Sequence, residues 1–240
     1  MKLTLNFLLA KNSIKQDLRR ALLSFFKFTL SAHNPDLYEQ LYGPGKTVQK
    51  PFAFSIGLDK PVFTKEGITL NSPFMEVNLI TNAYSLGIDL YNNFLQAKEK
   101  KFKLTDNNTM TLKQVRITNQ PHIVQNSILV KMRSPLVVRQ HEKNVTDKYF
   151  QYCDEDFTPK LKICLQQELT HCTELNVSMD DFKIEVIKGK KVFVKAFNLV
   201  IPASLGIYRL SGPAEVLDAL YQSGLGSRRS EGFGVFELLS

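Results

Sequence analysis

The chain has 240 residues, which is enough for one large domain or for two domains that each bury a core. Its 31 Lys and Arg against 23 Asp and Glu give a formal net charge of +8, which favours a polyanionic partner over a neutral or acidic-binding role. Three cysteines without a C-x-x-C pair give no support to a disulfide framework or a zinc knuckle, so a reducing cytoplasm is expected.

The first segment, MKLTLNFLLA, predicts a β-strand. A lysine precedes an apolar run, as in a signal peptide, but Asn6 interrupts the run and no small-residue cleavage site follows. Leu3, Leu5 and Phe7 alternate with polar residues, which is the period of a strand. Because no apolar run in the chain approaches the roughly 18 residues of a membrane span, no membrane association is expected.

The rest of the first half predicts two helices and several strands. Apolar residues at helical spacing run from Leu18 to Leu30, and a turn-rich connection, NPDLYEQLYGPG, follows. Alternating or β-branched residues then predict strands in KPFAFSIG, PVFTKEG and ITLNSPFMEVNLIT. A second helix is predicted in AYSLGIDLYNNFLQAKEK, and strands in KFKLTDNN and MTLKQVRITN. This order is that of a ferredoxin-like domain.

The second half repeats the order of elements without residue-level similarity. A strand is predicted in NSILVKMRSPLVVRQ, a helix in DFTPKLKICLQQELTHCTEL, hairpin strands in DFKIEVIKG and KVFVKAFNLVIPA, a helix in PAEVLDALYQSG and a last strand in FGVFELL. We therefore predict an α+β protein of two tandem ferredoxin-like (RRM-like) domains, each an antiparallel sheet with helices on one face. Their predicted ranges are residues 1–124 and 125–240.

A glycine-rich stretch, GLGSRRSEGFG, lies between the last predicted helix and the last strand. It is typical of a helix C-cap followed by a loose turn. It is equally typical of a backbone that approaches a ligand closely, with Arg228 and Arg229 facing phosphates. The Walker and dinucleotide motifs do not fit, because their glycine loops precede a helix.

This stretch has the form G-x-G, five residues, G-F-G, and resembles the C-terminal signature of the CRISPR repeat-processing endoribonucleases, members of the repeat-associated mysterious protein superfamily. The resemblance continues through RLSGPAEVLDALYQSGLGSRRSEGFGVFEL, MRSPLVVRQ and NPDLYEQLYGPGKTVQKPFAFS, in the family's order. It implies one or two ferredoxin-like domains and cleavage of precursor CRISPR RNA without metal or cofactor. The attacking group would be a ribose 2′-hydroxyl, leaving 2′,3′-cyclic phosphate and 5′-hydroxyl ends.

Such chemistry needs a proton acceptor, a proton donor and a cation beside the phosphate. In many relatives a histidine follows the leucine that this chain has as Leu41, but here Tyr42 stands in its place. His33, at the end of the first predicted helix, is one candidate acid or base, and helix capping explains it equally well. Tyr42 itself is the other candidate.

Lysines of the first half are candidates for the phosphate-facing cation. Lys50, directly before PFAFS, matches the lysine that often begins this strand in the family and is the first choice. Lys46, in the turn GPGK, is the second. Lys27 roughly matches a position where some relatives have a catalytic tyrosine, and is predicted to contact RNA.

Further RNA contacts are predicted in the second half. Lys131, Arg133 and Arg139 have odd numbers on one predicted strand and would form a basic stripe. The turn IKGKK would place three lysines at a hairpin tip, namely Lys188, Lys190 and Lys191, with a solvated turn as the alternative. The glycine-rich stretch adds its two arginines and its glycines, namely Gly224, Gly226, Gly232 and Gly234.

Two functions follow from the resemblance. The first is an endoribonuclease that matures CRISPR RNA and binds both precursor and product. The second is a non-catalytic member that delivers or protects repeat RNA, which the replacement of the family histidine by Tyr42 keeps open. Association with a CRISPR effector complex and with a second copy of the chain is left open as well.

Overall fold

The computed structural model describes residues 1–14, 17–45, 49–105, 107–142, 145–172 and 178–239. The strands and helices of the first half follow the predicted order, with one additional short strand and one additional helix. They are β1 Lys2–Leu9, β2 Ser13–Ile14, α1 Leu18–His33, α2 Pro35–Tyr42, β3 Ala53–Leu58, β4 Val62–Phe63, β5 Ile68–Thr69, β6 Phe74–Ile80, α3 Tyr84–Gln96, β7 Lys101–Thr105 and β8 Asn108–Thr118.

The main sheet of the first half is antiparallel, with strand order β3-β6-β1-β8-β7. Without the edge strand β7 this is the ferredoxin-like order, in which the first strand lies between the third and the fourth. The alternation seen in β1 places Leu3, Leu5 and Phe7 in the core, against Phe26 of α1 and Phe94 of α3. The short strands β2, β5 and β4 form a separate small sheet.

The second half has the same architecture. Its elements are β9 Ser127–Met132, β10 Val138–Gln140, β11 Lys148–Phe150, α4 Phe157–Cys172, β12 Lys183–Ala196, β13 Leu199–Ser211, α5 Ala214–Ser223, a short 3₁₀ helix Arg229–Glu231 and β14 Phe236–Leu239. The sheet order is β12-β13-β9-β14, again ferredoxin-like. Tyr208 and Leu210 of β13 pack with Leu165 of α4 and Leu217 of α5. The predicted fold class is thus confirmed.

The two cores involve different parts of the chain. The first extends to Val115 and the second begins at Ile123. The boundary at residue 124 stays a prediction. The halves touch through a small apolar cluster of Ala53, Ile80 and Val235. No helix in the described ranges is long and apolar enough to cross a membrane.

One predicted connection is a helix. The segment predicted as turn-rich contains α2, which follows α1 at Asn34. The Asn34 backbone N–H donates to the Leu30 carbonyl and ends α1, while its side chain accepts from the Leu37 backbone N–H and starts α2. Pro35 stands at the first helical position, where the lack of an N–H costs nothing. Asn34 therefore ends one helix and begins the next.

The predicted hairpin tip at IKGKK is wrong. Lys188, Lys190 and Lys191 lie in the middle of β12, and the turn is formed by Phe197 and Asn198, both with positive φ. Gly189 suggested a turn, but it lies opposite Gly206 in the ladder, where an added Cβ would meet the ring of Tyr152 at 2.4 Å. Close packing, and not chain reversal, explains this glycine.

Candidate functional site

Three side chains predicted for the RNA site meet on the first domain. Lys27 projects from α1, Tyr42 is the last residue of α2, and Lys50 precedes β3. The Lys27 Nζ lies 5.1 Å from the centroid of the Tyr42 ring, and the Lys50 Nζ lies 4.7 Å from it. The reversal at Asn34 brings α2 back along α1, and this is what returns Tyr42 to Lys27. We call Lys27, Tyr42 and Lys50 the lysine–tyrosine cluster.

The positive charges of the two ammonium groups act on each other, and the carboxylate of Glu231 acts on Lys50 as well. Within the described ranges neither has an ion-pair partner within 4 Å. Burial lowers the pKa of Lys50, and the nearby charge of Lys27 lowers it further, while Glu231 acts in the opposite direction. An anion between the two lysines would relieve their repulsion.

The hydroxyl of Tyr42 is shielded from solvent. The Tyr42 Oη is buried and has no hydrogen-bond partner among the residues the structure describes. Burial raises the pKa of Tyr42 above its ordinary value. At neutral pH the phenol is therefore protonated, and it is poorly suited to accept a proton.

The other first-half candidates lie apart from the cluster or outside the described residues. His33, the last residue of α1, is exposed, and its Nε2 lies 3.4 Å from the Lys100 Nζ. In the described part of the chain, no contact joins His33 to Tyr42, Lys27 or Lys50. Lys46 falls outside the described residues.

The glycines of the C-terminal stretch pack against protein. An added Cβ on Gly226 would lie 2.5 Å from the Val137 carbonyl oxygen, and one on Gly232 would lie 2.8 Å from the ring of Phe54. Both residues have positive φ, which side chains rarely adopt. Similar contacts surround the other two predicted glycines, Gly224 and Gly234. Close packing against other parts of the protein is enough to explain these glycines, and their role in the approach of RNA stays a prediction.

The two arginines of this loop are engaged in ion pairs. Arg229 is 2% exposed and pairs with the fully buried Glu168 of α4, and its Nη1 also donates to the Ser223 carbonyl at 2.7 Å. Burial raises the pKa of Glu168, an effect that Arg229 opposes. A buried guanidinium needs such partners. These partners hold Arg229 inside the protein, and its phosphate contact stays a prediction.

Arg228 is 11% exposed and bridges several acceptors. Its Nη1 donates to Glu231 at 2.7 Å, and its Nη2 lies 3.0 Å from the Tyr149 hydroxyl and 3.3 Å from the Asp147 carboxylate. These acidic and phenolic partners occupy the guanidinium, and its contact with RNA stays a prediction. Its partner Glu231 also acts on the pKa of Lys50, which links the loop to the lysine–tyrosine cluster.

Asp147 collects donors from β10 and its surroundings. Arg139 donates to it at 2.9 Å and His141 contacts it at 2.7 Å. Burial acts to raise the pKa of Asp147, but hydrogen bonds from His141 and Arg139 outweigh it and lower the pKa to about 2. Arg139 is thus tied to a carboxylate that stays ionised.

The predicted basic stripe is divided. Lys131 on β9 and Arg133 just after it both approach Glu237, at 3.8 and 3.7 Å, and remain about half exposed. Arg139 belongs to β10, in another sheet. The backbone N–H groups of Arg133 and Ser134 both donate to the Val235 carbonyl, and Pro135 has no N–H with which to continue the ladder. The chain therefore bends between the two strands.

Several residues that hold this region together could not be recognised from the sequence alone. Arg19 of α1 donates from Nε to the Gly232 carbonyl at 3.2 Å and lies 4.6 Å above the Phe233 ring. Burial lowers the pKa of Arg19 to about 10 while Asp17 opposes the change. Glu168 reads as an ordinary helix residue, so its role could not be recognised without its partner. Among the described residues, no three His, Cys, Asp or Glu side chains are grouped as metal ligands.

Two sheets of this topology on one chain define a double ferredoxin-like protein, and comparisons narrow this class. Residues 118–238 match the family model for the C-terminal part of CRISPR associated protein Cas6. The chain belongs to the Cas6 family. A comparison with curated protein sequences finds no significant match.

Solved structures agree on the fold. A protein from a Cas6-related gene of Pyrococcus furiosus superposes with a TM-score of 0.86 at 21% identity, covering 100% of this chain and 98% of that one. A RAMP protein that binds different RNA substrates gives 0.83 at 19% identity, covering both chains completely. A Cas6 product complex gives 0.72 at 17% identity, covering 99% of each chain. At these identities the likeness establishes the shared architecture.

Proposed function

We propose that this protein binds CRISPR repeat RNA and cleaves the precursor within its repeats, without a metal ion. The observation that carries the proposal is the lysine–tyrosine cluster, where two lysines that form no ion pair within the described ranges lie near Glu231 of the family's glycine-rich loop. Membership of the Cas6 family and the likeness to a Cas6 product complex support RNA as the ligand. Precursor and mature CRISPR RNA are both expected to bind.

In the proposed reaction the ribose 2′-oxygen attacks the adjoining phosphorus. A bond from phosphorus to the 2′-oxygen forms as the bond to the 5′-oxygen breaks, giving a 2′,3′-cyclic phosphate and a 5′-hydroxyl. Negative charge gathers on the non-bridging oxygens in the transition state, where Lys27 and Lys50 would stabilise it. The 2′ proton must leave, and the departing 5′-oxygen must gain one.

Lys50 is the proposed proton donor to the 5′-oxygen. Its lowered pKa makes the ammonium a better acid than an ordinary lysine. His33 remains the candidate acceptor of the 2′ proton, although its contact in the described ranges is with Lys100. Movement of His33 towards the RNA would be required for this role.

Exposed basic residues of the second domain are proposed to hold the rest of the repeat. Lys131 and Arg133 are half exposed beside Glu237. The lysines of β12 stand on an edge strand of the sheet. Such contacts to phosphates position the RNA without specifying its sequence.

A second function is favoured by one observation. Tyr42 stands where the resemblance to the family leads one to expect a histidine, and its hydroxyl is buried and raised in pKa. A protein without a proton acceptor at this position would bind and protect repeat RNA without cutting it.

One assay separates the two functions. Protein is incubated with its repeat RNA in EDTA, beside a substrate with a 2′-deoxy residue at the scissile position. Cleavage in EDTA that the deoxy substitution abolishes, with 2′,3′-cyclic phosphate ends, supports the endoribonuclease. Binding without cleavage supports the second function.

Single-turnover rates of variants then test the roles. Lys50→Ala is expected to lose most activity, His33→Ala tests the proposed proton acceptor, and Tyr42→Phe tests the hydroxyl. Lys65→Ala, an exposed lysine in the β4–β5 turn, is the matched control and should keep the full rate. Full activity in Lys50→Ala and His33→Ala would overturn the assignment of the site.

A further inference from the structure

Lys27 and Lys50, which form no ion pair among the described residues, converge on the ring of Tyr42. Both ammonium groups lie within about 5 Å of its centroid, a distance at which the π face attracts a cation. We propose that Tyr42 is a positioning residue whose ring holds Lys27 and Lys50 together as one phosphodiester-binding pair, and that its hydroxyl takes no part in proton transfer. The identity of the ligand rests on the proposed function.

The pair needs such a support because its members repel each other. Lys27 lowers the pKa of Lys50, so the two charges act on each other, and burial adds to the effect. Long lysine side chains would otherwise turn apart into solvent, since their rotamers are many. The π electrons of one aromatic ring offset part of the repulsion and keep both ammonium groups within about 5 Å of its centroid.

The hydroxyl has no comparable role. The Tyr42 Oη is buried without a hydrogen-bond partner in the described part of the chain, and an atom that is shielded from solvent in this way cannot exchange a proton readily. The Tyr42 ring also packs 6.0 Å from the Tyr38 ring of the same helix. The ring itself is the part of Tyr42 that the two lysines contact.

Three variants separate ring from hydroxyl. Tyr42→Phe keeps the ring, Tyr42→Leu removes it, and Tyr38→Leu removes the neighbouring ring, which packs on the same core and has no lysine over it among the described residues. Affinity for 2′-deoxy-blocked repeat RNA is measured against salt concentration. Each phosphate contact adds roughly 0.7 to the slope of log K against log salt for single strands.

Tyr38→Leu is expected to keep the wild-type slope and the wild-type cleavage rate, and Tyr42→Phe is expected to lose clearly less of both than Tyr42→Leu. Tyr42→Leu is expected to reduce the slope by roughly 0.7 to 1.4, which corresponds to one or two lost phosphate contacts. Its cleavage rate should fall while the thermal midpoint stays near that of Tyr38→Leu. Equal losses in Tyr42→Phe and Tyr42→Leu would overturn the proposal, and so would equal losses in Tyr42→Leu and Tyr38→Leu.

A second measurement needs no RNA. The ε-methylene resonances of Lys27 and Lys50 should be shifted upfield by the ring in wild type and in Tyr42→Phe. If Tyr42→Leu does not fold, the comparison of wild type with Tyr42→Phe and Tyr42→Met serves instead. Unshifted lysine resonances in the wild type would refute the positioning role. Shifted resonances without RNA binding would support the positioning role while the proposed function failed.

Discussion

Two regions of this molecule differ in whether their positively charged side chains have carboxylate partners. In the glycine-rich loop, Arg228 and Arg229 are almost fully buried and bound to carboxylates. In the lysine–tyrosine cluster, two lysines share an aromatic ring without a carboxylate partner in the described ranges. A buried cation needs partners that offset its desolvation, whereas a cation without an ion-pair partner can bind an anionic ligand.

This difference reverses what the motif suggests. Glycines beside paired arginines are typical of a phosphate-binding loop. Here another part of the protein packs closely against each glycine, and each arginine has acidic partners. The loop joins α4, α5 and β3 and so fixes the relation between the domains. Glu231 of the loop also acts on the pKa of Lys50, so the loop influences the lysine–tyrosine cluster of the first domain.

The largest expected effect comes from removing one member of the buried ion pair between Glu168 and Arg229. Glu168→Ala leaves Arg229 buried without its carboxylate, and the free energy of unfolding should fall by about 3–5 kcal/mol. Chemical denaturation measures the loss. The double variant Glu168→Leu with Arg229→Met should recover most of it, because no charge is then left unpaired. A single variant as stable as wild type would contradict the structural role of the pair.

The next effect separates stability from RNA binding. Arg228→Gln removes donors to Asp147 and Glu231 and should cost about 1–3 kcal/mol of stability. The salt dependence of RNA affinity should not change, since this guanidinium is turned inward. A reduced salt slope with unchanged stability would mean that Arg228 contacts RNA after all.

A smaller effect is expected on the pH dependence of cleavage, through the pKa of Lys50 in the lysine–tyrosine cluster. If protonated Lys50 donates to the leaving oxygen, the cleavage rate falls as pH rises through the lowered pKa of Lys50. Lys27→Gln removes a like charge, so the pKa of Lys50 should rise and the alkaline limb should move to higher pH. Single-turnover rates across pH measure the shift. A limb that stays in place would show that the two lysines do not interact.

The smallest effect concerns stability against pH. Because the pKa of Lys50 is lower in the folded state, the unfolded state binds more protons between the folded and the unfolded pKa. The Lys50 contribution to stability therefore rises with pH across this window. Comparing wild type with Lys50→Met by denaturation at several pH values isolates the contribution. An identical pH dependence of the two proteins would contradict it.

Much of the fold could be predicted from the sequence. The apolar alternation of β1 and the helical spacing from Leu18 to Leu30 report which face of each element is buried, and burial is what orders the elements. The helix α2 was missed because Asn34 and Pro35 are typical both of turns and of helix starts. The turn at Phe197 and Asn198 was missed because neither residue pair nor composition there is typical of a tight turn.

The candidate site could be predicted only in part. Lys27, Tyr42 and Lys50 were each identified, from the resemblance to the family, and the structure brings them together. The engagement of Arg229 by Glu168 could not be predicted, since one residue lies on α4 and the other after α5. A pairing between distant segments leaves no periodic pattern in either one.

The sequence by itself determined the two ferredoxin-like domains and the stretches from which the site is built, because secondary structure and burial follow local patterns of apolar residues. Only the tertiary structure decided which cations are neutralised. The sequence shows which residues are charged. Whether such a charge is available to a ligand depends on whether folding places a carboxylate within a few ångströms of it.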